Sequence, residues 1–226
     1  MNILIPTAVL LASASLAACG SGQTGNAQSE AATNEVSAAA PAGDPFASAE
    51  QAMDAAMTAA IGSNAGQSWA LKMIAHHEGA IAMSKMVLQQ RPTADVAAMA
   101  REDIAKQTKD VASIRGLLTG GTPDPKTAEP YRQAVMDMHQ AMAAAGGATV
   151  SEAYLRKMLA HHQGAVAMSD AALAHGVGGA MKSQVEKTKA ENQKDAAMVE
   201  GMLSGKVMTM PNGNMNGMDM KGMNHE

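Results

Sequence analysis

Aromatic side chains are nearly absent from this sequence, which has one Trp, one Phe and two Tyr in 226 residues. β-Branched residues are sparse too, while Ala abounds. Sheets draw their stability from Val, Ile, Thr and aromatics, so the composition argues against a β-rich fold and favours helix. Basic residues do not dominate: 17 Lys and Arg stand against 21 Asp and Glu, for a net charge of −4. The signs are interspersed, so no basic face is offered to nucleic acid. A single Cys rules out an internal disulfide. What the chain has in excess is Met, at 21 residues.

The first apolar run, Ile3 to Ala18, is short for a membrane span and has no Lys or Arg ahead of it. It ends in Leu16-Ala17-Ala18-Cys19, which resembles the lipobox of a bacterial lipoprotein signal peptide. That resemblance implies removal of residues 1–18 and a lipid on the Cys19 sulfur; an ordinary cleaved signal is the alternative. Gly20 after the Cys is similar to lipoproteins sent to the outer membrane. The expected location is therefore the bacterial cell envelope, lipid-anchored in the outer membrane and facing the periplasm. Residues 19–44, rich in Gly, Ser, Ala, Asn and Gln, read as a flexible tether.

A repeat organises the remainder. Met73-Ile-Ala-His-His-Glu-Gly-Ala-Ile-Ala-Met-Ser84 recurs as Met158-Leu-Ala-His-His-Gln-Gly-Ala-Val-Ala-Met-Ser169, 85 residues later (158 − 73). The same offset aligns Met53, Met57 and Gly62 with Met138, Met142 and Gly147, and Lys109 and Asp110 with Lys194 and Asp195. The chain is a tandem duplication, with units at residues 45–121 and 127–205. Each unit reads as three helices. In the first they run from an Asp44-Pro45 start towards Ile61, from about Gln67 to Gln90, and from about Ala94 to Leu118. In the second they run from Thr127 to Ala145, from Glu152 to His175 after a Ser151 cap, and from about Gly178 to Leu203. Short connections make the long helices antiparallel neighbours. The expected architecture is an all-α four-helix bundle from two tandem repeats, with short accessory helices at its ends or sides and a disordered Met-rich tail.

On the second helix Met73, His76, Ala80, Met83 and Val87 share one stripe, with His77 beside it. Met158, His161, Ala165, Met168 and Ala172, flanked by His162, repeat the pattern. Folding each hairpin about its turn brings His76 level with Gln107 and His161 level with Asn192. These polar residues are candidates to hydrogen-bond and orient the imidazoles. The turns also bring Met83 towards Met99 and Met168 towards Met181. Imidazole binds copper, zinc, nickel and iron, and thioether adds a preference for Cu(I) or silver. Thioether also withstands oxidising surroundings better than thiol. His139 lies three residues from both Met136 and Met142, whereas the first unit has Asp54 at the equivalent position. The competing reading is packing: a helical Met stripe is more often core than ligand, and a buried His is often structural.

For the tail the packing explanation fails, because its Gly- and Asn-rich composition cannot build a core. Met208, Met210, Met215, Met218, Met220, Met223 and His225 in residues 206–226 could wrap a soft ion with several thioethers. A sticky low-complexity segment is the alternative.

The His-His-Gln/Glu-Gly-Ala-x-x-Met signature, with Met-Ile/Leu ahead of it, resembles the DUF305 family. That resemblance implies an exported, ferritin-like helical protein, with copper binding in some members. It points to Met73, His76, His77, Met83, Met158, His161, His162 and Met168, with His139 and Met142 matching an upstream His-x-x-Met element. Ala75 and Ala160 replace the usual Pro before His-His, and the first unit lacks the upstream His. The expected function is copper sequestration or delivery, with Cu(I) or Cu(II), and silver or another soft metal as further ligands. The metal ion, the membrane and a copper-handling protein are the expected partners. Duplication can substitute for a homodimer. An interaction scaffold presenting the tail is the alternative. A ferritin-like oxidase is disfavoured, because such sites need inward carboxylates and Glu-x-x-His pairs, and no Glu-x-x-His occurs here.

Overall fold

The computed structural model describes residues 43–205. The expected signal peptide, Cys19, most of the expected tether and the Met-rich tail lie outside the described residues. Within them the protein is an all-α bundle of six α-helices. They are α1 (Ala47–Ala59), α2 (Ala65–Gln89), α3 (Ala94–Arg115), α4 (Arg132–Ala144), α5 (Val150–Ala174) and α6 (Gly179–Leu203). No described helix is long and apolar enough to cross a membrane.

Local chemistry sets the boundaries. Asn64 caps α2 by accepting from the Gln67 N–H at 3.0 Å, and Thr149 caps α5 by accepting from the Glu152 N–H at 3.1 Å. Ser151, the cap expected from sequence, instead accepts from the Thr93 N–H of the other repeat at 2.9 Å. Asp44 is not the N-cap of α1; its carboxylate takes the Phe46 N–H at 2.9 Å, and the helix starts at Ala47. The helix expected from Thr127 opens as two 3-10 turns and becomes α-helical only at Arg132. Pro125 and Pro130 explain the delay, since neither supplies an N–H to an α-helical ladder. Between α5 and α6, Gly176 turns the chain at φ +74°. Arg91, its counterpart in the first repeat (91 + 85 = 176), adopts φ +52° without that freedom.

The two repeats meet along a pseudo-twofold axis through α2 and α5. His76 meets His161, and Ser84, eight residues on, meets Tyr154, seven residues back, so the two helices run antiparallel. α3 packs on α2 and α6 on α5; α1 and α4 pack on α2 and α5 in turn and touch each other. Being flanked this way, α2 and α5 are buried around most of their circumference. The core is built from small and flexible side chains: Ala70, Ala80, Ala165 and Ala172 lie among Met53, Met57, Met73, Met83, Met99, Met158 and Met168. Met adapts to irregular gaps that aromatics would otherwise fill.

One glycine in each His-His motif sets the helix spacing. A Cβ on Gly79 would sit 2.4 Å from the Met53 sulfur and 2.8 Å from Met53 Cβ. On Gly164 it would sit 2.4 Å from the Met138 sulfur and 2.7 Å from Met138 Cβ. The obstruction includes the root of each Met, so α1 or α4 would have to move. Gly to Ala in a helix ordinarily stabilises by about 1 kcal/mol. Here Gly79→Ala and Gly164→Ala are each expected to destabilise by about 1–3 kcal/mol. Urea midpoints check this, and Met53→Ala in the Gly79→Ala background should recover part of the loss.

Candidate metal centre

Each His-His pair splits across its helix. His76 and His161 stack on the pseudo-axis, with ring centroids 3.5 Å apart and planes at 23°. Each Nε2–H donates to the other's backbone carbonyl at 3.0 Å. A carbonyl only accepts, so the proton is on Nε2 and the Nδ1 lone pair is bare. Neither buried Nδ1 has a partner. Burial pushes both imidazoles well below the usual histidine range, so both are neutral at pH 7.

His139 reaches the axis from α4. Its Nδ1 lies 2.7 Å from the Asp54 carboxylate on α1, the residue 85 positions earlier. Its other nitrogen, Nε2, is buried and unpartnered. A carboxylate holding Nδ1–H while Nε2 stays bare is the usual way an imidazole is prepared for a metal. His76 and His161 both lie within electrostatic reach of His139. Burial lowers the His139 pKa, with Asp54 opposing. The Met53 and Met138 sulfurs, seated over Gly79 and Gly164, come one helical turn after His76 and His161. The face towards α1 and α4 therefore combines imidazole with thioether.

The face towards α3 and α6 is different. Asn192 Nδ2 donates to the Thr188 carbonyl at 2.9 Å, which turns Asn192 Oδ1 towards His162 Nδ1 at 2.9 Å. His162 therefore donates from Nδ1 and keeps a bare, buried Nε2 without a partner. His77 has no partner on either ring nitrogen, and the Gln107 carbonyl oxygen has none either. His77 and His162 share Lys106 as a charged neighbour, and His162 also feels Asp195. Lys106 pairs with Asp195, and Lys187 pairs with Asp110 at 2.9 Å, so ion pairs link α3 to α6. Burial is the main cause of the lowered pKa at both His77 and His162.

The residues picked out by sequence are thus brought together in part. All four His of the paired motifs are buried, and Asn192 orients an imidazole, though that of His162 rather than His161. Gln107 is buried but makes no bond to a His through its oxygen. Met73, Met83, Met158 and Met168 are fully buried core residues, and Met142 is buried on α4. Among the described residues no three His, Cys, Asp or Glu side chains converge as a ready metal group. Any ion held here must draw on thioether or amide donors beside the imidazoles, and the unpartnered nitrogens fit that role.

Other buried polar residues carried little sequence signal. Lys72 and Lys157, 85 apart, donate to the Met57 and Met142 carbonyls at 2.7 and 2.9 Å. Tyr154 O–H donates to Asp103 at 3.1 Å and shares a 2.7 Å bond with Ser84. Burial, with Asp195 nearby, raises the Asp103 carboxyl to about 7. At the equivalent positions Trp69 Nε1 and Ser169 Oγ are buried without partners, so the duplicated halves have diverged here.

The model of a family described as "Domain of unknown function (DUF305)" matches residues 16–118 and again 119–203. No curated protein and no solved structure matches the chain.

Proposed function

Since the chain belongs to the DUF305 family through both of its repeats, a family whose description leaves function open, we propose from its own residues that it binds copper in the bacterial envelope. It would sequester or deliver the ion without turnover. One observation carries this reading: neutral, buried imidazoles with unpartnered nitrogens lie one helical turn from Gly79 and Gly164, against which the Met53 and Met138 sulfurs rest. Leaving a buried polar atom unpaired costs about 1–3 kcal/mol, so several together call for a ligand. His76, His161 and His139 would supply nitrogen, and Met53, Met138 and Met142 sulfur. That donor set suits Cu(I), with silver as its closest analogue. The Leu16-Ala17-Ala18-Cys19 motif supports a lipid anchor, which would place the bundle at a membrane surface alongside copper-handling partners.

A second reading follows from the lack of a ready three-residue group among the described residues: the bundle is a scaffold and the tail carries the metal. Cu(I) titration of the full chain against a competing chelator separates the two. Two variants are compared with it, one carrying His76→Gln, His139→Gln and His161→Gln, the other with the six tail Met residues from Met208 to Met223 changed to Leu. Weakening by about 100-fold or more (about 2.7 kcal/mol) in the first variant alone supports the bundle site. Weakening only in the second makes the bundle a scaffold. No tight binding by the unaltered chain ends the copper reading.

A further inference from the structure

The two ends of the bundle are related by the repeat but are not fastened alike. We propose that the molecule opens at one end only: the α5–α6 turn swings away from the start of α2 and gives small solutes a way in to the buried axis. The proposal needs no metal and does not rest on the copper reading.

At the opposite end, where the α2–α3 turn meets the start of α5, hydrogen bonds tie the repeats together. Ser151 Oγ accepts from the Thr93 N–H at 2.9 Å. Tyr154 O–H reaches Asp103 at 3.1 Å and shares a 2.7 Å bond with Ser84. The repeat offset turns Ser151, Thr93, Tyr154 and Asp103 into Gly66, Gly178, Trp69 and Thr188. Each of those bonds is thereby lost. Gly66 has no hydroxyl, and Trp69 Nε1 and Ser169 Oγ are buried without partners. Among the described residues no hydrogen bond or ion pair joins residues 169–186 to the first repeat. Packing alone holds the turn there: a Cβ added to Gly66 would lie 3.1 Å from Met181 Cγ and 3.4 Å from Val177 Cγ1, so both side chains rest on that glycine.

The turn itself is free to move. Gly176, Gly178 and Gly179 stand where the first repeat has Arg91, Thr93 and Ala94 around Pro92, so its backbone has freedom that the counterpart lacks. The groove beside it is wide, about 710 Å³ against about 380 Å³ at the opposite end. The ion pair of Lys187 with Asp110 fastens α6 to α3, which puts the hinge ahead of Lys187. Segments held by few polar bonds open at a fraction of the cost of global unfolding. Such an opening uncovers Trp69, and His76 lies seven residues, about 10 Å, further along α2.

Native-state hydrogen exchange of the full, metal-free chain is the test. After correction for intrinsic rates, amides in the last two turns of α5 (167–174) should exchange about tenfold or more faster than their counterparts in α2 (82–89). Gly66→Ser gives α2 the hydroxyl that α5 has at Ser151, placed to accept from the Gly178 N–H. It should slow exchange at 167–174 about fivefold, the ratio that one net hydrogen bond supplies. Acrylamide quenching of Trp69, the chain's one tryptophan, should fall in the same variant. Gly66→Ala adds the Cβ without the acceptor and should do neither. Equal exchange at the two ends of the unaltered chain, or faster exchange at 82–89, overturns the proposal whatever the variants do. A turn that Gly66→Ser leaves as open as before, or that Gly66→Ala closes equally well, overturns it too.

Discussion

Below about pH 5 the metal-free protein is expected to lose its fold in one steep transition, after a broad stability plateau above about pH 7. His76, His77, His161 and His162 are buried with pKa values held below the usual histidine value of 6.5, mainly by desolvation. A folded-state pKa below the unfolded one gives stability that is present above pH 6.5 and lost as pH falls, because only the unfolded chain accepts the protons. Asp103 works the other way. Its folded pKa is about 7 against 3.8 unfolded, so its contribution grows as pH falls from 8 towards 4. His76, His77 and His161 bring up to three protons favouring the unfolded chain and His162 part of a fourth; less one favouring the folded, they leave about two to three, or roughly 3–4 kcal/mol per pH unit. Against a typical stability of about 5–15 kcal/mol, that slope empties the folded state within a few units below pH 6. Ellipticity at 222 nm and melting temperature followed from pH 8 to pH 3 give the proton count. A melting temperature that stays flat from pH 7 to pH 4 would show that the imidazoles are not desolvated as the structure has them. Bound copper, which needs the neutral rings, should move the transition to lower pH.

The same His residues show what the sequence made legible. An offset of 85 residues fixed the duplication, the helix hairpins and the residues at each level. Asn192 was placed opposite the His pair within one residue of its actual partner. Within a hairpin the chain folds back on itself, so spacing and turn position suffice to set each residue's level. Across the axis they do not. The stacking of His76 on His161, and the pairing of Asp54 with His139, depend on how two similar repeats dock. That docking is made by contacts between the repeats, the reciprocal His76–His161 hydrogen bonds and the Ser84–Tyr154 bond, on helix pairs whose spacing within each repeat is set at Gly79 and Gly164. The motif glycine was visible as a repeated letter, and Met53 and Met138 as an aligned pair. Nothing in either marked the sulfur as lying against the glycine. Helix starts differ from the expected ones at α1, where Asp44 takes the Phe46 N–H ahead of a helix that no side chain caps, at α5, where Thr149 rather than Ser151 is the cap, and at α4, which Pro130 delays.

Duplication also makes a controlled comparison of buried charge, and here the largest stability difference between single substitutions is expected. Lys72 and Lys157 occupy equivalent positions on α2 and α5, 6% and 1% exposed, each donating to a Met carbonyl of the preceding helix. Only Lys157 has carboxylates: Asp44 at 2.6 Å and Glu50 at 2.5 Å. The second-repeat counterparts of those two are Glu129 and Val135 (44 + 85, 50 + 85), and no carboxylate pairs with Lys72 among the described residues. Burial therefore lowers the Lys72 pKa without compensation. At Lys157, removal of the ammonium leaves Glu50 half-buried; burial already raises its pKa. Lys157→Met should destabilise by about 3 kcal/mol, the lower end for a broken buried pair, because Asp44 and Glu50 keep some contact with water. Lys72→Met keeps the length of the side chain and removes an unpaired buried cation. Its cost should stay within about 1 kcal/mol, or become a gain, since the Met57 carbonyl still accepts from the Ala60 N–H at 3.3 Å. Urea unfolding at pH 7 of both variants beside the unaltered chain reads the difference directly. Equal losses would mean that the carboxylates around Lys157 add nothing to the carbonyl bond the two lysines share. A larger loss at Lys72 would mean that the first repeat, not the second, carries the charge that locks its short helix in place.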